Sequence, residues 1–387
     1  MASWLWWKGL GPARLKAGER KNLVTEAQTS QRRRDEFAEG LFEKIIGAME
    51  VASVYLGDRL GLYRALAEGG PTTPAELAER TGTHERYARE WLEQQAVTGI
   101  LAIENSGAEP SDRRYALPEG HDEVLLDPDS LSYLAPVARF TMGLVRPLPA
   151  LVEAFRSGEG VPYPGYGPDA REGQADANRP MFVNLLGSEW LPAVPDVHER
   201  LRADPPARVA DIGCGTGWSS ISMARAYPKA RVDGYDLDGP SVELARRNAE
   251  EAGVADRVAF HLRDASDPAL EGRYDLATAF ECVHDMGRPV EALRAMRRMV
   301  GEGGAVVIAD ERVPDSFEAP GDEVDRLMYG WSVLFCLPTG LADEPSVGTG
   351  TVMRQRTLRR YAEEAGYRGV EVLPIENDLW RFYRLRT

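Results

Sequence analysis

Residues 209–220, VADIGCGTGWSS, run four mostly apolar residues into three alternating glycines, Gly213, Gly215 and Gly217. Bare backbone between a strand and a helix lets a ligand come closer than any side chain permits. Two phosphate readings fail on spacing. A P-loop needs a Lys-Ser/Thr pair after its last glycine, and Trp218 and Ser219 stand there. A dinucleotide fingerprint puts its third glycine three positions after the second, and that position is Trp218. Asp236 lies about 20 residues beyond the loop, the spacing of a carboxylate that bonds a ribose. A nucleoside without phosphates satisfies both observations. Further on, FECVHDM at 280–286 carries His284, whose imidazole, with an ordinary pKa of about 6.5, can accept a hydroxyl proton. His84, His121, His198 and His261 lie in unrelated contexts and read as surface or packing residues. Cys214, Cys282 and Cys336 are far apart, and no CxxC pair, Cys/His cluster or Asp/Asn cluster argues for a metal, so none is expected.

Alternating strand and helix patterns must position these residues. RVADI is followed by a helix over 216–227, RVDGYDLD by PSVELARRNAEEAG, and then come RVAFHLRD, YDLATAFECVHD, RPVEALRAMRRMV and GGAVVIADE. Repeated βα units make a parallel sheet covered by helices, with ligands at the carboxyl ends of its strands. VEVLPIE and DLWRFYRLR close that sheet as an antiparallel pair. The fold class is α/β, Rossmann-like, over residues 206–387.

Upstream, residues 37–130 form a different unit. In TTPAELAERTGTHERYAREWLEQQAVTGIL, Thr73 is an N-cap with Pro74 at the first helical position and Glu76 completing a capping box; a turn at Gly82 and Thr83 leads into a second helix that stops at Gly99. Residues 100–103 and 113–117 pair as a wing. A winged helix suggests DNA, but the second helix carries Glu85, Glu90 and Glu93 beside Arg86 and Arg89, and the chain of 387 residues has a net charge of −15. A phosphate-tracking surface needs a basic excess. The unit is therefore expected to pack and dimerise, with Tyr87, Trp91 and Leu92 in its core. Residues 131–205 are a helical linker; within it, 158–174 is too rich in Gly and Pro for a helix and reads as a lid loop, where Tyr163 and Tyr166 either face a ligand or staple the loop down. Residues 1–36, Trp-rich and then basic, read as a disordered tail.

With VADIGCGTG, Asp236, RDA at 263–265 and RRMVGEGG at 297–304 all in place, the last half of the chain resembles the class I S-adenosylmethionine-dependent methyltransferases. The winged-helix front makes the whole similar to the small-molecule O-methyltransferases and their actinobacterial relatives. The resemblance implies S-adenosyl-L-methionine as cofactor. Gly213, Gly215 and Gly217, with Asp211, would then serve its amino acid end, Asp236 and Leu237 its ribose side, and Asp264 with Ala265 its adenine. For Asp211 and Asp264 a cap or turn role is the alternative. Glu281 is either a second acid near the sulfonium or an ordinary strand-end carboxylate. His284 with Asp285 resembles the HD pair whose histidine is the general base, with Met286 where a tryptophan usually follows; contact to cofactor or loop is the other role for this histidine. Met181 and Ser188, in NRPMFVNLLGSEW, have no assigned contact.

After the fifth strand, Leu327, Met328, Trp331, Leu334 and Phe335 share a helical stripe, as a wall of the acceptor site or as core. A long Gly/Pro-containing loop is expected from Cys336. The resemblance implies a small-molecule methyl acceptor, a homodimer formed through the N-terminal domain, and no nucleic acid. No apolar run approaches the roughly 20 residues of a membrane span, and the odd, scattered cysteines suit the cytoplasm. A cofactor-binding regulator, an N- or C-methyltransferase and a dehydrogenase are the competing readings.

Overall fold

The computed structural model describes residues 20–271, 274–301 and 303–387, with side chains from residue 28 onward. The chain forms two compact units, one reaching Ser53 and the other running Val54–Thr387. Helix α1 (Arg20–Arg59) supplies the described part of the first, and its last residues, from Val54 on, belong to the second. The tail expected over 1–36 is thus helical from Arg20 on. Good helix formers dominate there, and Arg32 Nε donates to Glu36 one turn later at 2.7 Å. Residues 1–19 lie outside the described residues. Phe37, Leu41, Phe42, Ile45 and Met49 are all exposed on this helix.

The second unit continues past the end of α1 with α2 (Leu62–Gly69), α3 (Pro74–Thr81) and α4 (Glu85–Val97). The capping box at Thr73 is present, its hydroxyl accepting from Glu76 N and the Glu76 carboxylate accepting from Thr73 N. Strands β1 (Ala102–Ile103) and β2 (Tyr115–Ala116) make a short wing. Leu66, Leu77, Trp91, Leu92 and Tyr115 fill the core of this region. Tyr87, expected there, is 79% exposed. On α4 the inward positions are Ala88, Trp91, Leu92 and Gln95, and Tyr87 precedes that stripe by one residue, about 100° away.

Helices α5 (His121–Leu126), α6 (Ala135–Val145), α7 (Leu148–Ser157), α8 (Gly167–Met181) and α9 (Pro195–Arg202) follow. The lid loop expected over 158–174 is a correction: only its first part is irregular, a single 3₁₀ turn spans Tyr163–Tyr166, and the rest is α8. Pro168 sits in the first turn of α8, where its missing N–H costs nothing. Tertiary contact overrides the low propensity of its glycine: a Cβ at Gly173 would stand 2.5 Å from Phe140 N, and one at Gly143 2.4 Å from Ala170 N. Only glycine lets α6 and α8 pack this closely. A π-helical turn, Phe182–Trp190, continues α8.

The remainder is β3 (Arg208–Ile212), α10 (Trp218–Ala226), β4 (Arg231–Asp236), α11 (Gly239–Glu251), β5 (Val258–Leu262), β6 (Leu276–Phe280), α12 (Pro289–Val300), β7 (Ala305–Glu311), α13 (Glu323–Trp331), α14 (Leu337–Leu341), α15 (Gln355–Glu364), β8 (Gly369–Val372) and β9 (Trp380–Arg386). The helix expected over 216–227 is shorter at both ends. A π turn, Ser332–Cys336, joins α13 to α14, so the loop expected from Cys336 starts only after Leu341. Seven strands form one sheet in the order β5-β4-β3-β6-β7-β9-β8, parallel except for β9. Alternate residues feed opposite faces: Val209 and Val307 pack in one cluster, Ala210, Ile212, Val306 and Ile308 in the other. Strand order reverses between β3 and β6, which opens the crevice where ligands of such sheets bind. No helix among the described residues is long and apolar enough to cross a membrane.

Candidate active site

The glycine turn leaves β3 at this crevice. Gly213, Gly215 and Gly217 all have positive φ, at 66°, 52° and 86°, but they face different surroundings. A Cβ at Gly213 would meet Cys282 Sγ at 2.7 Å and one at Gly217 would meet Phe260 at 2.5 Å, whereas at Gly215 it would meet nothing within 4 Å. Two of the glycines therefore exist for packing. Gly215 alone presents bare backbone to open space.

Asp236 closes the turn from the neighbouring strand. Its carboxylate accepts from Gly215 N at 2.8 Å and from Asp238 N at 2.9 Å. Burial pushes its pKa up, and the two backbone donors partly offset that. Beside it, Leu237 is 61% exposed and Leu262 at the end of β5 is 60% exposed, two apolar surfaces at one rim. Arg171 on α8 spends its guanidinium on Asp238, at 2.5 Å. Tyr163 also faces this end, its hydroxyl pKa raised by burial and by the Asp236 and Asp238 carboxylates. Tyr166 is a staple: fully buried, it donates to Leu334 O at 2.8 Å and packs edge-on against Phe335.

Asp211 is spent locally. Its two oxygens accept from the hydroxyls of Ser219, Ser220 and Thr278 at 2.5, 2.6 and 2.8 Å, and it is 1% exposed. It pins α10 to β3 and β6. Asp264 holds Ser266 N and Oγ through one oxygen and Arg288 through the other, with Ala265 packed against the core beside it. Met181 packs on the sheet, and Ser188 is exposed, donating to Asn184 O. On the stripe expected after the fifth strand, Met328 of α13 and Phe335 of the π turn that follows are buried and Leu327 is 40% exposed.

The ends of β6 and β7 bring an acidic cluster around His284. A 3₁₀ turn, Val283–Asp285, presents the imidazole, which is 2% exposed. Nδ1 bonds Asp310 Oδ1 at 2.8 Å, and Nε2 stands 3.3 Å from Asp285 Oδ1. Burial works to lower its pKa, but the Asp285 and Asp310 carboxylates outweigh it and hold the pKa well above 6.5. Glu281, just upstream, has a φ of 52°, the one non-glycine residue with positive φ among those described. Asn178 of α8 donates to its carboxylate. Burial, against the relief given by Glu311 and His284, pushes Glu281 up to about 7, and burial with the Glu281 charge pushes Glu311 up too.

The sequence reading missed Asp310, Glu311, Asn178, Arg171 and Cys336. For the first two a signal existed: they end the strand GGAVVIADE, and strand ends are where such sheets keep their chemistry. Arg171 carried none, since its region read as a loop, and Asn178, at the start of NRPMFVNLLGSEW, has no feature in the sequence that marks it.

A family profile described as a methyltransferase domain matches residues 203–364, and one described as an Rv2258c-like winged HTH domain matches residues 48–126. The ubiquinone biosynthesis O-methyltransferase of Aromatoleum aromaticum is 32% identical over 206 residues, covering 52% of this chain and 79% of that protein. The corresponding enzyme of Bordetella avium is 30% identical over 196 residues, 50% and 75% of the two chains. The chain belongs to the S-adenosylmethionine-dependent methyltransferases. This excludes the dehydrogenase reading and disfavours the regulator. Among solved structures, the methyltransferase is similar in fold to the mitomycin 7-O-methyltransferase MmcR, with a TM-score of 0.67 at 22% identity over 92% of this chain and 99% of that one. Human N-acetylserotonin methyltransferase, solved with SAM, gives 0.68 at 17% identity over 90% and 97%.

S-adenosylmethionine is the cofactor, and the turn fits it: open backbone at Gly215, a carboxylate in Asp236 and the apolar rim of Leu237 and Leu262 suit an amino acid joined to a nucleoside. The buried role of Asp211 leads to a separate expectation. Asp211→Ala would leave three hydroxyls at the sheet without their acceptor, so the methyltransferase should lose at least about 1–3 kcal/mol of unfolding free energy. A denaturant midpoint equal to wild type would show that Asp211 does not hold the turn.

Proposed function

We propose that this methyltransferase methylates a hydroxyl of a small molecule, with His284 as general base. The observation that carries it is the bond from Nδ1 to Asp310 Oδ1, which leaves Nε2, beside Asp285, as the ring nitrogen that can exchange a proton in a buried imidazole. The O-methyltransferase names of the relatives at 32% and 30% identity support oxygen as the acceptor atom. Bound S-adenosylmethionine supplies an electrophilic methyl group on a sulfonium. The backbone of Gly213, Gly215 and Gly217 would hold its amino acid end, with Asp211 acting through the turn; Asp236 would bond the ribose with Leu237 beside it, and Asp264 and Ala265 would flank the adenine. Glu281, held by Asn178, would face the positive sulfur.

His284 would take the hydroxyl proton as the oxygen attacks, and Asp310 would steady the imidazolium that forms. Because two carboxylates raise its pKa, the form of His284 that can accept a proton at Nε2 gains population as pH rises. That same clamp favours a second reading, an orienting His284 beside a nitrogen or carbon acceptor that needs no base. In support of a cytoplasmic protein, Cys214, Cys282 and Cys336 are all free. Arg86–Glu90 and Arg113–Glu93 ion pairs neutralise the α4 surface, which supports the absence of a nucleic acid partner. Exposed Phe37, Phe42 and Met49 support a homodimer covering α1.

With a panel of phenols and hydroxylated metabolites, His284→Ala should lower kcat by about 10²-fold or more and leave cofactor affinity nearly intact. Wild-type turnover should rise with pH through a value above 6.5, and Asp285→Asn, by removing one of the raising charges, should move that rise to lower pH. Unchanged turnover in His284→Ala would hand the site to the second reading. Asp236→Ala, which removes the ribose acceptor, should weaken S-adenosylmethionine in calorimetry by about 10-fold or more, since hydrogen bonds to a charged group contribute about 1.5–3 kcal/mol. Light scattering of the full chain should give the mass of two copies; a single-chain mass would remove the dimer.

A further inference from the structure

Cys336 takes no part in the reaction above, yet it ends up beside the base. It closes the π turn Ser332–Cys336, from which α14 packs on the 3₁₀ turn of His284; a Cβ at Gly340 would lie 3.1 Å from Asp285 O. The ligand atoms of His284, Asp285 and Cys336 all lie within 4.8 Å of one another. His284 and Cys336 are 2% and 5% exposed, and Asp285 Oδ1 is a buried oxygen with no hydrogen-bond partner.

We propose that His284, Asp285 and Cys336 form a binding site for a borderline-soft divalent cation of the zinc class. Three features support it. Two ligands at about 2.0–2.1 Å from a tetrahedral ion stand about 3.3–3.4 Å apart, and Nε2 and Oδ1 are 3.3 Å apart. The Nδ1 bond to Asp310 supplies the second carboxylate that commonly orients a metal-bound histidine. One imidazole, one thiolate and one carboxylate select zinc over magnesium or calcium, which require oxygen ligands. Sulfur and nitrogen ligands on one ion stand about 3.6 Å apart, a separation that falls inside the 4.8 Å bounding the three ligand atoms. The thiol proton of Cys336 and the Nε2 proton of His284 leave to solvent as the metal enters.

A metal here occupies the lone pair that the acceptor hydroxyl needs, so zinc inhibits methyl transfer without touching the glycine turn. The site itself does not depend on His284 being the base, because it is read by metal binding alone. Cobalt(II) added to the full-length protein should give one equivalent of bound metal with a near-ultraviolet sulfur-to-cobalt charge-transfer band, displaced by zinc. Cys336→Ser should abolish that band and weaken zinc by about 10²-fold or more, and Asp310→Asn should weaken zinc by about 10–100-fold through the orientation of His284. Wild-type protein without the band overturns the site, and so does a band that persists in Cys336→Ser, which would place the metal on Cys214 or Cys282.

Discussion

The amide of Gly215 donating to the carboxylate of Asp236 joins the ends of two neighbouring strands, and much of the site hangs from that link. It holds the glycine turn open at the one position where a side chain would intrude on the crevice. Asp236 then receives Asp238 N, and Asp238 caps α11 and takes Arg171 from α8. Through the same helix Asn178 reaches Glu281 just after β6. A helix outside the sheet is thereby tied to both sides of the switch point, and the cofactor region and the acidic cluster become one structure.

That cluster concentrates charge where water is scarce. Asp310, Glu311 and His284 are each at most 2% exposed, and Glu281 adopts a backbone conformation that costs a non-glycine residue about 1–3 kcal/mol. Burial raises both Glu281 and Glu311, the Glu281 charge raises Glu311 further, and the imidazole between Asp285 and Asp310 also moves up because its charged form is the one they stabilise. Strain and buried charge of this kind collect at functional positions, because packing elsewhere has to offset them. Here the offset is visible in two apolar clusters that cover both faces of the sheet.

The winged-helix region shows the opposite economy. Its core is apolar, its capping box is complete, and its charged residues pair with one another at the surface, as in Arg86–Glu90. Those pairs balance acidic against basic side chains on the α4 surface.

By itself the sequence determined what depends on neighbours along the chain: the order of strands and helices, the capping box at Thr73, the turn at Gly213–Gly217 and the reach to Asp236. Periodicity and turn chemistry act over a few residues, so they are legible without a fold. It could not distinguish the glycine that faces the crevice from the two that accommodate Cys282 and Phe260, because that depends on side chains brought from other strands. Nor could it show that α8 would be a helix, since only the close approach of α6 rewards glycine there. The partners of His284 were the least accessible of all. Asp310 and Cys336 lie 26 and 52 residues away from it and meet it only because adjacent parallel strands end at the same edge and a π turn folds back over them.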